Sequence, residues 1–466
     1  MRCLFAGLML LAACGPSERT DDNASQGISI FVDQNPDPAV VEVQVVGAPA
    51  SLEFLPGKLA HAWAYHDGAA ANARAAVPGP RLELNQGDHV VVHFRNDLPE
   101  ATTIHWHGLR VPNASDGTPA AQVPVVPGGT YDYEFDATDA GLFWFHPHVA
   151  SDVQIERGLY APVLVRQAGE PEVTTERVLV LDDIKLEASG ELSSTTDALD
   201  VMLGRQGNVL LVNGKRNPSF TARAGSRERW RFVNAANGRY FNLAVPGHSL
   251  HVIGGDGGLL PEPYDAETLL IAPGEREDVL VDIGGAPGDV LRLQTVYYDR
   301  GHDIPDAGPL DLLQIKVERP VEAPLPGLPD TRGEFVPLAV DDATPIVHLV
   351  LSEDESSSDT RFLINGEDYP DATPTLGAPG DTAIWEIQND SEMDHPFHLH
   401  GMFFQVLDAD GAPALHDGWK DTVNVPQKKT LRFAVQYGGV GRWMYHCHIL
   451  EHAERGMMGE LVLAAD

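Results

Sequence analysis

Cysteine is scarce, with only three in 466 residues. That excludes a fold stapled by several disulfides, and each thiol needs its own explanation. Positive charge is also short: 32 Lys and Arg stand against 68 Asp and Glu, a formal net charge of -36. Such a surface repels phosphate backbones and anionic lipid and draws cations and neutral aromatics, so nucleic acid is not an expected partner. Methionine is sparse too, with eight in all and no cluster. The apolar run from Leu4 to Ala13 is too short to cross a bilayer.

That run follows Arg2 and reads as an export signal. Leu11, Ala12, Ala13 and Cys14 resemble a bacterial lipobox, whose cysteine becomes the lipidated first residue of the mature chain. Residues 15 to 36 then read as a polar tether. The expectation is a periplasmic or cell-surface protein that touches the outer membrane only through lipid on Cys14. Cys3 would leave with the signal, so Cys447 is the one free thiol, a ligand or a nucleophile.

Glycine and proline are plentiful, 45 and 35, as expected of short strands joined by turns. The length suits about three domains of roughly 150 residues. An internal repeat agrees. "LNQGDHVVVHFRN", "ARAGSRERWRFVN" and "GAPGDTAIWEIQN" each place a glycine (Gly87, Gly225, Gly380) nine residues ahead of an asparagine (Asn96, Asn234, Asn389), with strand-like alternation between. The predicted fold is all-β, three Greek-key sandwiches at 37–167, 168–330 and 331–466 behind the leader at 1–36. The polar stretch 352–360 is expected to be a surface loop.

Counting on from the repeats locates the chemistry. Nine and eleven residues past Asn96 stand His105 and His107; the same offsets from Asn389 reach His398 and His400, and from Asn234 reach Leu243 and Val245. "GLFWFHPH" and "GRWMYHCH" both put histidines five and seven residues after a glycine, giving His146 with His148 and His446 with His448. Residues two apart on a strand share a face, so each pair can chelate from one side. One such pair is commonplace on a surface strand; four at matched repeat positions, absent from the middle unit, are not. His61, His66, His89, His93, His248, His251, His302, His348 and His416 lack this register and are expected to be surface or core residues.

The same alternation turns Cys447 away from His446 and His448, toward another site. His395, three residues before His398, pairs naturally with it. His452 stands at odd separation from Cys447, so a turn or short helix after His448 must bring His452 and Met457 back. Two imidazoles, a thiolate and a long axial thioether make a blue-copper electron-transfer site. Structural zinc prefers four strong ligands, and a cysteine nucleophile leaves eight paired histidines unexplained.

The motifs "HWHG" (105–108), "HPH" (146–148), "HPFHLHG" (395–401) and "HCHILEHAERGM" (446–457) together resemble those of the three-domain, laccase-like multicopper oxidases over nearly all of the mature chain. "GLYAPVLV", "LLVNGK" and "APGEREDVLVD" resemble family stretches as well and are expected to carry no chemistry. The resemblance implies cupredoxin-like domains and four copper ions. Type 1 would be held by His395, Cys447 and His452 with Met457 axial, type 2 by His105 and His398, and the type 3 pair by His107, His146, His148, His400, His446 and His448. It further implies one-electron oxidation of phenols or aromatic amines coupled to reduction of O2 to water. Asp116 matches an acidic family position and is expected to donate or relay protons, although an Asp-Gly turn explains it equally well. Bacterial relatives often carry a second acid where this chain has Ala453.

An axial Met implies a modest copper potential, within reach of phenols. Cuprous ion is the alternative reductant; soft thioethers bind it, but here the methionines form no cluster, and Met393 with Asp394 beside His395 could line a substrate pocket, although packing explains Met393 better. A copper nitrite reductase would need fewer histidines and two domains, and a metal-free scaffold would have lost ligands. Cys447→Ser is therefore expected to abolish blue colour and turnover in a chain that still folds, as absorption and circular dichroism would show.

Overall fold

The computed structural model describes residues 27–465 except 71–72, 195, 303, 323–324, 326, 329–331 and 357–359. Residues 1–26 of the leader, with Cys3 and Cys14, lie outside the described residues, whereas 27–36 is no free tether: Ile28 and Phe31 are buried, and Ile30 bridges to Arg81. No described helix is long and apolar enough to cross a membrane.

The fold is all-β, three cupredoxin-like sandwiches in a row, each made of two sheets. In every domain the repeat segment is an inner strand of the first sheet. His89–Asn96 pairs in parallel with Val40–Leu55 and antiparallel with Thr130–Asp136. Arg227–Asn234 sits likewise between Thr175–Ile184 and Arg276–Asp282, and Thr382–Asn389 between Ile346–Asp354 and Thr430–Gln436. Val90, Val92 and Phe94 alternate inward in the first of these strands. The middle one is buried on both faces, because Arg229 and Arg231 meet Asp278, Glu170 and Glu176 where its polar side would otherwise face water.

The repeat asparagines explain themselves. Each is fully buried and ends its strand by the same three hydrogen bonds. The amide of Asn96 donates to the carbonyls of Glu100 and Val125, and its oxygen accepts from the Leu98 N–H. Asn234 does this with Arg239, Ile271 and Ala236, and Asn389 with Met393, Val425 and Ser391. The chain then turns into the second sheet, where the paired motifs reside. There His105 lies opposite His146 in the register of His105–His107 against Gly141–His146. His398 lies opposite His446 in that of His395–Leu399 against Gly441–Cys447. In the middle domain Leu243 and Val245 are buried at the corresponding positions.

One expectation fails. The stretch 352–360 is not all loop: the strand Ile346–Asp354 runs into it, and the Glu353 side chain is only 7% exposed. A polar sequence concealed an inward-facing carboxylate.

Asn234→Ala strands two buried carbonyls and one N–H, and is expected to destabilise the middle domain by about 2–4 kcal/mol. Denaturant unfolding of the copper-free protein measures it; a loss under about 0.5 kcal/mol would mean water replaces the amide.

Candidate metal centre

Two groups of ligand atoms form back to back on the strand Gly441–Cys447. On one face the Cys447 Sγ lies 3.4 Å from the His395 Nδ1 and 3.9 Å from the His452 Nδ1, and those two nitrogens are 3.3 Å apart. The return of the chain is a short helix, Leu450–Glu454, which carries His452. Met457 is fully buried in the same apolar cluster as Cys447, and its carbonyl accepts from the Cys447 N–H at 3.0 Å. Both rings are oriented from behind: the His395 Nε2 bonds the Ser391 hydroxyl at 2.7 Å, and the His452 Nε2–H donates to the Met202 carbonyl at 3.1 Å. That leaves each Nδ1 for a metal. Burial pushes the Cys447 thiol far up, so it is no standing thiolate nucleophile, and a metal must displace its proton.

On the other face eight imidazoles from the first and third domains interleave. His105 stacks on His400, and His107 on His398, each with ring centroids 3.8 Å apart. The Nε2 atoms of His148 and His400 lie 3.3 and 3.1 Å from that of His446. The spare N–H groups are fixed on acceptors. His105, His146, His398 and His446 donate through Nδ1 to the carbonyls of Asp116, Pro147, Asp421 and Cys447, and His400 does so to the Asp116 carboxylate at 3.1 Å. The His105, His146 and His398 Nε2, the His107 Nδ1 and both His448 nitrogens are buried without a hydrogen-bond partner. Buried polar atoms normally find partners; here ligand atoms of His105, His107 and His146, and of His148, His400 and His446, lie within 4.8 Å of one another, as metal ligands do. Burial and crowding keep nine of these rings neutral. His395 and His446 fall to about 3, and His107, His146, His148, His398, His400, His448 and His452 also fall, with burial the largest cause and neighbouring positive charge on imidazole or arginine adding to it.

The three sandwiches align with solved multicopper oxidases. The multicopper oxidase of Campylobacter jejuni, described as a metallo-oxidase, is 28% identical with a TM-score of 0.82, and 94% of each chain is covered. The laccase-like CueO of Ochrobactrum sp. is 28% identical with a TM-score of 0.80, covering 94% of this chain and 99% of that one. Three multicopper oxidase family models match residues 65–170, 182–290 and 340–466. The multicopper oxidase MmcO of Mycobacterium tuberculosis is 32% identical over 424 residues, covering 83% of this chain and 81% of that one. The chain belongs to the multicopper oxidase family. Copper is thus its cofactor, and O2 and a reductant are its substrates.

Sequence reasoning missed several residues of this oxidase's centre. The Asp421 carboxylate lies 3.3 Å from the His107 Nε2 and 3.5 Å from the His398 Nδ1, and the Thr422 hydroxyl lies 3.1 Å from that same His107 nitrogen. Register alone reveals them, since Thr422 pairs with His398 across the sheet. The expectation that "APGEREDVLVD" carries no chemistry also fails, because its Arg276 forks onto Asp421. Met393 is plain core, and Asp394 is occupied by Tyr298, Asn424 and the Gln427 N–H. Of the unpaired histidines, His61, His89, His93, His251 and His348 meet surface carboxylates. His302 instead lies 3.6 Å from Glu353.

Neutral buried histidines make stability depend on pH. The native state holds His395 and His446 near 3 against about 6.5 when unfolded, so the unfolded chain binds more protons as pH falls below 6.5. The copper-free protein is expected to lose up to about 1.4 kcal/mol per pH unit for each such histidine between about pH 6.5 and 3. Denaturation midpoints at several pH values check this, and a flat profile contradicts it.

Proposed function

We propose that the protein is a laccase-like oxidase that takes single electrons from phenols or aromatic amines and reduces O2 to water with four of them. Four copper ions would be held: a type 1 by His395, Cys447 and His452 with Met457, a type 2 by His105 and His398, and a type 3 pair by His107, His146, His148, His400, His446 and His448. One observation carries the reading. Cys447 belongs to one ligand group and its chain neighbours His446 and His448 to the other, and the His446 Nδ1–H closes on the Cys447 carbonyl at 2.8 Å.

Copper, when bound, supplies the electron transfer and the O2 chemistry. The chain does the rest. The Cys447–His446 peptide is the covalent bridge between the two groups, and that hydrogen bond offers a shorter path beside it. Asp116 accepts from the His400 Nδ1 through one oxygen, while the other is buried with no hydrogen-bond partner, which suits it to hold and pass a proton at the edge of the cluster. At the other family position stands Ala453, and the acids beside it are engaged. Glu451, pushed up to about 7 by burial, binds Asn237 and the Arg205 N–H, and Glu454 binds Ser151.

The reductant meets the helix Ala198–Leu203 rather than the buried His452 ring, since Met202 of this helix covers the ring edge and Leu199 is 68% exposed. An apolar ledge over the electron path suits an aromatic ring. The relatives are named for both chemistries, and one feature favours a cation as second reading. The Glu353 Oε1 is buried without a hydrogen-bond partner, 3.8 Å from the His395 Nε2 and 3.6 Å from the His302 Nε2. We also propose export and lipid anchoring at Cys14 to the outer membrane, at the periplasmic or cell-surface side; the sequence of residues 2–14 supports it.

Oxygen uptake on dimethoxyphenol and on Cu(I), with Cys447→Ser as a dead control, tests the choice. The expected result is a higher kcat/KM on the phenol, unchanged in Glu353→Gln. A far higher value on Cu(I), lost in that variant, would establish the second reading instead.

A further inference from the structure

The middle domain carries no histidine of either group, yet it reaches the cluster. Its turn at Ala272–Gly274 runs against the rings. A Cβ on Gly274 would stand 2.9 Å from both Cγ and Cδ2 of His448 and 3.1 Å from Cε1 of His107, closer than side chains tolerate. Two residues on, Arg276 is wholly buried and all five of its guanidinium N–H groups are used. Nη1 and Nη2 grip the two Asp421 oxygens at 2.7 and 2.5 Å. The remaining donors go to the carbonyls of Leu142 at 3.1 Å, Gly274 at 3.2 Å and Asp256 at 3.0 Å. Leu142 belongs to the first domain, Asp421 to the third, and Gly274 and Asp256 to the middle one.

Asp421 is the acceptor shared by two histidines from different domains. Its carboxylate, with the Thr422 hydroxyl, faces the His107 Nε2, and its own carbonyl takes the His398 Nδ1–H. The His107 Nδ1 and the His398 Nε2 are thereby left facing the cluster. The glycine of "HWHG" fits the same arrangement, since a Cβ on Gly108 would lie 2.3 Å from the Arg276 Nη2 and 2.7 Å from an Asp421 oxygen. Only a planar five-donor fork can hold a carboxylate with two bonds and still reach three carbonyls; the three donors of a lysine cannot.

We propose that the copper-free middle domain is the clamp of the trinuclear site: Arg276 is a positioning residue that, through the Asp421 carboxylate, sets which nitrogen of His107 faces the metal and holds in place the residue whose carbonyl orients His398, while the Gly274 turn seals the rings of His107 and His448. This rests on the oxidase reading above and assigns to the middle domain a part in building the site.

The test compares wild type with Arg276→Lys after copper loading, by metal analysis, visible absorption and electron paramagnetic resonance. The expected variant is folded and blue, because Cys447, His395 and His452 lie elsewhere, but has a weakened or altered type 2 signal, fewer ions than wild type and at least tenfold slower O2 reduction. A folded variant with wild-type copper content and type 2 signal overturns the clamp and leaves the oxidase reading intact. A wild type that takes up no copper overturns both. A measurement on the copper-free wild type needs no variant to fold: nitrogen-15 spectra are expected to show slowly exchanging protons on the His107 Nε2 and the Arg276 guanidinium. Rapid exchange at both sites overturns the proposal.

Discussion

An imidazole has two nitrogens, and when neutral only one of them carries a proton. Where that proton goes decides which lone pair is left for a metal, and the rest of this structure depends on that choice being made in a buried space, as it is at eight of the ten rings. At four cluster histidines the acceptor is a backbone carbonyl, which cannot rotate away. At His400 it is Asp116, and at His107 it is Asp421 with Thr422. Burial then keeps the rings uncharged, because a protonated imidazole in this crowd would lose its hydration and meet like charges.

The two metal groups are built differently. The cluster joins two domains through repeated geometry, His105 opposite His146 and His398 opposite His446. The group around Cys447 is local to the third domain: strand His395–Leu399, strand Gly441–Cys447 and the helix that follows supply His395, Cys447 and His452. A repeated scaffold thus yields an unrepeated function, because a single cysteine placed between two histidines turns one strand into a bridge. The middle copy has Leu243 and Val245 in place of the histidines and buries charged residues at its borders, Arg276 above all.

The sequence showed the fold through its repeat and the histidine pairs through their spacing, because both follow from local rules: strand alternation, and the need for a buried asparagine where each repeat strand ends. Acids and their partners were less legible. Asp421 and Arg276 lie 145 residues apart in the chain and carry no periodic mark. Glu353 sat inside a polar stretch that looked like surface. "APGEREDVLVD" looked inert because its one decisive contact crosses a domain boundary.

Sequence alone thus determined the β-sandwich class, the three copies, the histidine pairs and the opposite facing of Cys447, since each depends on residues close along one strand. The tertiary structure decided which nitrogen points inward at most of the rings, that Arg276 binds the domains to one carboxylate, and that the helix Ala198–Leu203 covers His452. Those contacts join segments that meet only after folding, so their energies and directions are set by the packing of whole domains.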